Sequence, residues 1–180
     1  NDPDQIISTD YDTQTIFIGS RWRPTAKLSG AFRVGYIQSD FDDETVDDFD
    51  GVAVDIDVTY RMTPITSIRF TAARDVRPVT RTERDTGTYF VLSAAGIAVT
   101  HHKWERIITE LSYVYRHRDY EGGITEDRID RYHDAGLEIR YLLSDRVSFS
   151  IGYNYRTNSS DLESVEYTEN MAEIGILIEI

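Results

Sequence analysis

Hydrophobic and polar residues alternate along most of this chain with a period of two, the period of a β-strand. Thr15 to Trp22 places Ile16, Ile18 and Trp22 on one side and Arg21 on the other. Leu28 to Gln38 sets Leu28, Phe32, Val34 and Tyr36 against Ser29, Arg33 and Gly35. Gly51 to Met62 sets Val52, Val54, Ile56, Val58 and Tyr60 against Asp55, Asp57, Thr59 and Arg61. Thr66 to Arg74 continues with Ile68, Phe70 and Ala72 against Ser67, Arg69 and Thr71. Thr88 to Thr100 is the least regular, since Phe90 and Leu92 oppose Tyr89, Val91, Ala95, Ile97 and Val99. Trp104 to Arg116, Tyr132 to Leu143 and Arg146 to Arg156 follow, the last alternating most cleanly. The final stretch aligns Ile174, Ile176, Ile178 and Ile180 against Glu173, Gly175, Leu177 and Glu179. The pattern predicts roughly nine strands and no helix.

The connections alternate too. Short turns fall at Arg23 to Lys27, Thr63 to Ile65, His101 to Lys103 and Ser144-Asp145. Long polar segments fall at Ser39 to Asp50, Asp75 to Gly87, His117 to Arg131 and Thr157 to Glu166. A weak repeat runs through this order: Tyr36 to Phe41 resembles Tyr115 to Tyr120, and each precedes an acidic loop and a strand. Strict short-then-long connection is the habit of outer-membrane barrels, with tight periplasmic turns and long outer loops. Tyrosines gather toward strand ends on the apolar side, as interfacial girdles do. The expected fold is all-β, an antiparallel transmembrane β-barrel. A soluble β-sandwich binding module is the alternative, because such a sheet may also keep one polar face.

Composition narrows this further. The 180 residues suit one domain and contain no Cys, which excludes a disulfide framework and thiol chemistry. No apolar run approaches the ~20 residues a membrane helix needs, while barrel strands escape hydropathy scans. A net charge of −13 argues against a nucleic-acid partner. Asn1-Asp2-Pro3-Asp4 lacks the features of a secretory leader, so any leader is expected to have been removed or left out. With short turns in the periplasm, the first and last strands both descend, which gives an odd number. The chain is therefore expected to be the C-terminal part of a larger, even-stranded barrel, because Asn1 to Thr13 lacks alternation.

Candidate chemistry lies on the polar side. Arg33, Asp55, Asp57, Arg69, Glu110, Glu138, Arg140, Arg146, Arg156 and Glu173 are expected to line a wet lumen. Val147, Phe149 and Ile151 should meet lipid, and Ser148, Ser150 and Asn154 the lumen. Adjacent His101 and His102 would point apart and lack a third ligand, so no metal site is expected there. The acidic run from Asp40 to Asp50 lacks the Gly and Glu spacing of a Ca²⁺ loop and reads as a solvated outer segment. No hydrolase motif occurs, and neither an enzyme nor a cofactor is expected.

Two resemblances sharpen the reading. Gly175, Ile178 and Ile180 resemble the C-terminal membrane insertion signal of outer-membrane barrels, with Ile180 where an aromatic usually stands. Thr15 to Trp22, Thr25 to Gly30, Asp47 to Gly51 with Tyr60 to Pro64, and Ser148 to Tyr155 resemble outer-membrane β-barrel porins associated with exopolysaccharide biosynthesis and export loci. That resemblance implies placement in the bacterial outer membrane, contact with its lipid, and passage of a polysaccharide or other polar polymer with periplasmic export proteins as partners. It supplies no catalytic residue. The functional alternative is a surface interaction or adhesion barrel whose acidic loops bind a partner.

Overall fold

The protein is described by a computed structural model covering residues 11–41, 48–78, 89–121 and 128–178. Among these residues, nine strands form one antiparallel sheet in simple sequence order. They are β1 (Tyr11–Trp22), β2 (Leu28–Phe41), β3 (Phe49–Thr63), β4 (Thr66–Pro78) and β5 (Tyr89–Lys103). β6 (Ile107–Glu121), β7 (Ile129–Ser144), β8 (Val147–Ser160) and β9 (Tyr167–Ile178) complete it. A 3-10 turn, Glu163–Val165, precedes β9. No second layer packs on the sheet among the described residues, so the soluble sandwich is set aside: its two sheets must face each other. β1 and β9 are the edges, and both run from the long-loop end to the short-turn end.

Register sorts the side chains, because paired residues share a face. Ile18, Val34 and Val54 align across β1 to β3. Val58, Phe70, Ile97, Tyr113, Ala135 and Tyr155 align across β3 to β8. Ile139, Ile151 and Ile174 align across β7 to β9. These side chains are not hidden: Ile18 is 78% exposed and Ile174 86%. A continuous apolar face of this extent is stable only against another apolar medium, which for a single-layer sheet is lipid.

Most strands run further than the alternation predicts. β6 reaches Glu121 and β7 begins at Ile129, so much of the expected loop from His117 to Arg131 is paired strand. β4 likewise extends to Pro78, and β9 begins at Tyr167. Apolar alternation ends where the membrane ends, whereas backbone pairing continues into water. The expected turn at His101 to Lys103 is strand as well; the turn is Trp104 to Arg106. Trp104 and Glu105 take positive φ there, at 53° and 61°, the left-handed geometry that suits hairpin twist. Lys103 Nζ lies 4.2 Å from the Trp104 ring centroid.

The buried core sits at the long-loop end. Phe90, Leu92 and Tyr120 cluster on the polar side of β5 and β6, and Tyr120 has no exposure. This explains the irregular fifth strand: Phe90 and Leu92 pack inward above the level where that side is wet. Nearby, the β3–β4 ladder stops at Val54 and Arg74 although both strands continue. Phe49 meets Tyr89 edge-on there, with centroids 5.4 Å apart.

Candidate functional site: the polar wall

The polar face is a wall of cross-strand ion pairs. Strand alternation puts Arg33 opposite Asp55, and the two are bonded. Arg69 sits one register step from Asp57 and grips its carboxylate through Nε, at 3.0 Å from Oδ1, and through Nη2. Arg140 donates to Glu138 at 2.5 Å on the same strand. Asp134 joins three strands, taking a bond from Arg116 Nη1 at 2.5 Å and another from Arg156. Arg156 also lies 3.8 Å from Glu169. The pairs on β2 to β4 and the Arg140–Glu138 pair are about half exposed, so each contributes only about 0–1 kcal/mol. Their effect is to fix side chains and cancel charge locally.

A recess of about 250 Å³ opens on β6 to β9, lined among others by Glu110, Ser112, Glu138, Ser150, Asn154 and Glu173. Gly136 makes room for it: a Cβ there would come within 2.8 Å of Asn154 Oδ1 and of Ser112 Oγ. Glu110, Glu138 and Glu173 occupy one register row, with Gly152 between the last two. Thr100 Oγ1 donates to Glu110 at 3.2 Å, and Arg140 is the neighbouring counter-charge. A second recess, about 540 Å³, lies over β1 to β3 beside Arg21, Arg33, Asp55 and Asp57. Charge is therefore distributed unevenly across the wall. Over β1 to β4, Arg21, Arg33, Arg61 and Arg69 face Asp55 and Asp57; over β6 to β9, carboxylates outnumber arginines.

At the long-loop end the polar side closes into a packed knot. Asp130 is fully buried and takes bonds from Arg128 Nε at 2.8 Å, Arg128 Nη2 at 2.5 Å, Ser160 Oγ at 2.5 Å and Tyr132 OH at 3.1 Å. Arg118 lies 5.1 Å from the Phe90 ring centroid and 4.6 Å from that of Tyr132; Arg128 lies 4.6 Å from that of Tyr120. Burial works against the charge on Arg128, but the bonds to Asp130 outweigh it and hold the guanidinium pKa above its ordinary value.

The structure brings most of the expected wall residues together. Arg33, Asp55, Asp57, Arg69, Glu110, Glu138, Arg140, Arg156 and Glu173 share the polar face. Arg146 does not stand with them: β8 starts at Val147, and Arg146 belongs to the turn, where its amide donates to Ser144 Oγ at 3.3 Å. Of the insertion-signal residues, Gly175 lies on the polar face opposite Ser150 and Ile178 on the apolar face opposite Val147; Ile180 lies outside the described residues. Sequence reading missed the knot, since Arg118, Tyr120, Arg128 and Asp130 fell inside an expected loop. The available signal was Tyr120 and Ile129, large residues inside an expected solvated segment that runs straight into Tyr132.

On the apolar side, tyrosine hydroxyls close the band. Tyr36 donates to Asp50 at 2.8 Å and Tyr153 to Asn170 at 2.6 Å, and Tyr113 OH lies 2.7 Å from His133 Nδ1. An apolar exterior, a tyrosine girdle and a charged reverse face are the three features of a membrane barrel wall. The family model described as "Putative beta-barrel porin 2" matches residues 8–180. The chain belongs to this β-barrel porin family. Among curated proteins, none matches the chain. Membership makes the sheet part of an outer-membrane pore fold, with the apolar face toward lipid.

Proposed function

We propose that this porin wall passes a polar polymer, an exopolysaccharide or a chain of similar chemistry, across the outer membrane. The observation that carries the reading is the polar face itself. Its charges are mostly paired across neighbouring strands, and hydroxyls and amides of Ser112, Ser150 and Asn154 stand beside them. A wall with compensated charge and many donors and acceptors binds sugar hydroxyls weakly at many points, so a chain can slide. The uneven distribution, arginine-rich over β1 to β4 and carboxylate-rich over β6 to β9, adds a transverse field that orders dipolar groups. The end of β9, with Gly175 and Ile178, serves membrane insertion in this reading together with Ile180, which lies outside the described residues, and periplasmic export proteins hand over the polymer at the short-turn end.

Two parallel edge strands cannot close an all-antiparallel sheet by pairing with each other, so closure takes an odd number of further strands. In this reading they belong to the same protein. The test is planar-bilayer recording of the full-length protein together with polymer export in cells. The double substitution Glu138→Ala with Arg140→Ala should alter ion selectivity and lower export while heat-modifiable gel mobility stays normal. Unchanged conductance, selectivity and export in the correctly folded double variant would leave these charges as wall structure only. Loss of surface attachment without any loss of export would favour an adhesion barrel.

A further inference from the structure

Beyond the tyrosine girdle, the exterior of β4 to β7 turns basic. Arg74 pairs with Ser93, Ser93 with His117, and His117 with Arg131. The four side chains therefore stand in one row on the apolar face's side, about 14 Å wide at the ordinary strand spacing. Just below the row, toward the apolar band, come Ala72, Ala95, Tyr115 and His133, and His133 is already held by Tyr113. Arg74 is exposed, and neither its side chain nor those of Ser93 and His117 have a hydrogen bond, ion pair or ring contact among the described residues. Arg131 has one loose ion pair, 3.8 Å to Asp161. Among the described residues, Asp119 stands one row further from the band, between Val91 and Ile129, and Glu121 one row beyond it, where it accepts from Tyr89 OH at 2.7 Å.

The row is local. On β1 to β3 the residues that end the apolar band are Gln14, Gln38 and Asp50, with no cation among them. In a chain of net charge −13, two arginines, a histidine and a hydroxyl without a close ion pair among the described residues, on a lipid-facing side, ask for an anion. A group at the border of the apolar band and on its face is within reach of headgroups. Arginine forks match phosphate oxygens through paired N–H bonds, and basic residues at membrane borders draw anionic headgroups.

We propose that Arg74, Ser93, His117 and Arg131 form a site for the phosphate of a lipid headgroup in the leaflet at the long-loop end. The site uses the lipid-facing orientation of the sheet but is independent of what the pore carries. Its occupant ties a phosphorylated lipid to β4 through β7, beside the point where the β3–β4 ladder ends.

Native mass spectrometry of the full-length protein in detergent tests this, with three probes: a bis-phosphorylated glucosamine lipid, the same lipid stripped of phosphate, and inorganic phosphate. The wild type should retain the phosphorylated lipid and release the stripped one. Arg74→Gln with Arg131→Gln should weaken retention about tenfold or more, while Arg23→Gln, in a turn at the opposite end, should not. Bilayer conductance of the Arg74/Arg131 double variant should match the wild type, so failure of the lipid site and failure of the pore reading are told apart. Equal retention of both lipids by the wild type overturns the proposal without any variant. Undiminished binding by the folded double variant also overturns it. Displacement of the lipid by equimolar inorganic phosphate would show a free-anion site and overturn the lipid assignment.

Discussion

Ile151 gives the sharpest test of which face meets lipid. It is central to the apolar row of β8, with Val147 four residues toward the short-turn end and Tyr155 four residues toward the loops. Four residues at about 3.3 Å each, on a strand tilted about 40°, rise roughly 10 Å, close to half the ~25 Å height of a barrel's apolar band. Ile151 therefore sits near the midplane, paired with Ile139 and Ile174, and it is 56% exposed on the isolated sheet. Ile151→Arg should cost about 2–4 kcal/mol, the cost of a midplane arginine on a barrel exterior. That is roughly 30- to 1000-fold in the folding equilibrium, at about 1.4 kcal/mol per factor of ten. Ser150→Arg, one residue away on the polar face between Arg140 and Gly175, should cost less than about 1 kcal/mol. The assay is denaturant-driven refolding into vesicles, followed by tryptophan fluorescence from Trp22 and Trp104 and by heat-modifiable mobility. Equal damage at the two positions would show that both faces are dry. A harmless Ile151→Arg would remove the lipid from that face altogether.

Further expectations follow from the girdle and the knot. Asp130→Ala strands the buried Arg128 without its carboxylate and should destabilise the folded protein by about 3–5 kcal/mol, read as a lowered denaturation midpoint. Phe90→Ala empties the centre of the only buried apolar cluster among the described residues and should cost about 3–5 kcal/mol in the same measurement. Tyr113→Phe removes the bond to His133 on a half-exposed surface and should cost about 0.5–1.5 kcal/mol, with conductance unchanged in a bilayer.

Much of the fold is legible in the chain because a strand in a membrane has only two surroundings, one on each side. Val147 to Tyr155 alternates without exception, since every odd position meets lipid and every even one the polar side. The wall residues follow at once from that parity, and Asp57 and Arg69 could be named without knowing that they touch. The partner choices could not be named. Asp134 is bonded to Arg116 and Arg156 because β6, β7 and β8 register as they do, and register is a property of three strands together. Arg146 was misplaced for a related reason: a tight turn consumes the residues next to it, and alternation alone cannot say where pairing begins.

The chain by itself determined the strands of the described residues, the order of short and long connections, the two faces and the girdle. Each is a local consequence of period-two alternation and of turn chemistry. The tertiary structure decided where the polar side stops being wet. Arg118, Tyr120, Arg128 and Asp130 read as a polar loop while they are taken in order. Paired as the ends of β6 and β7 beside Phe90 and Ser160, they enclose one another, and a fully buried carboxylate takes its bonds from an arginine, a serine and a tyrosine. Burial depends on which strands lie side by side and how far their ladders run, and no residue carries that information alone.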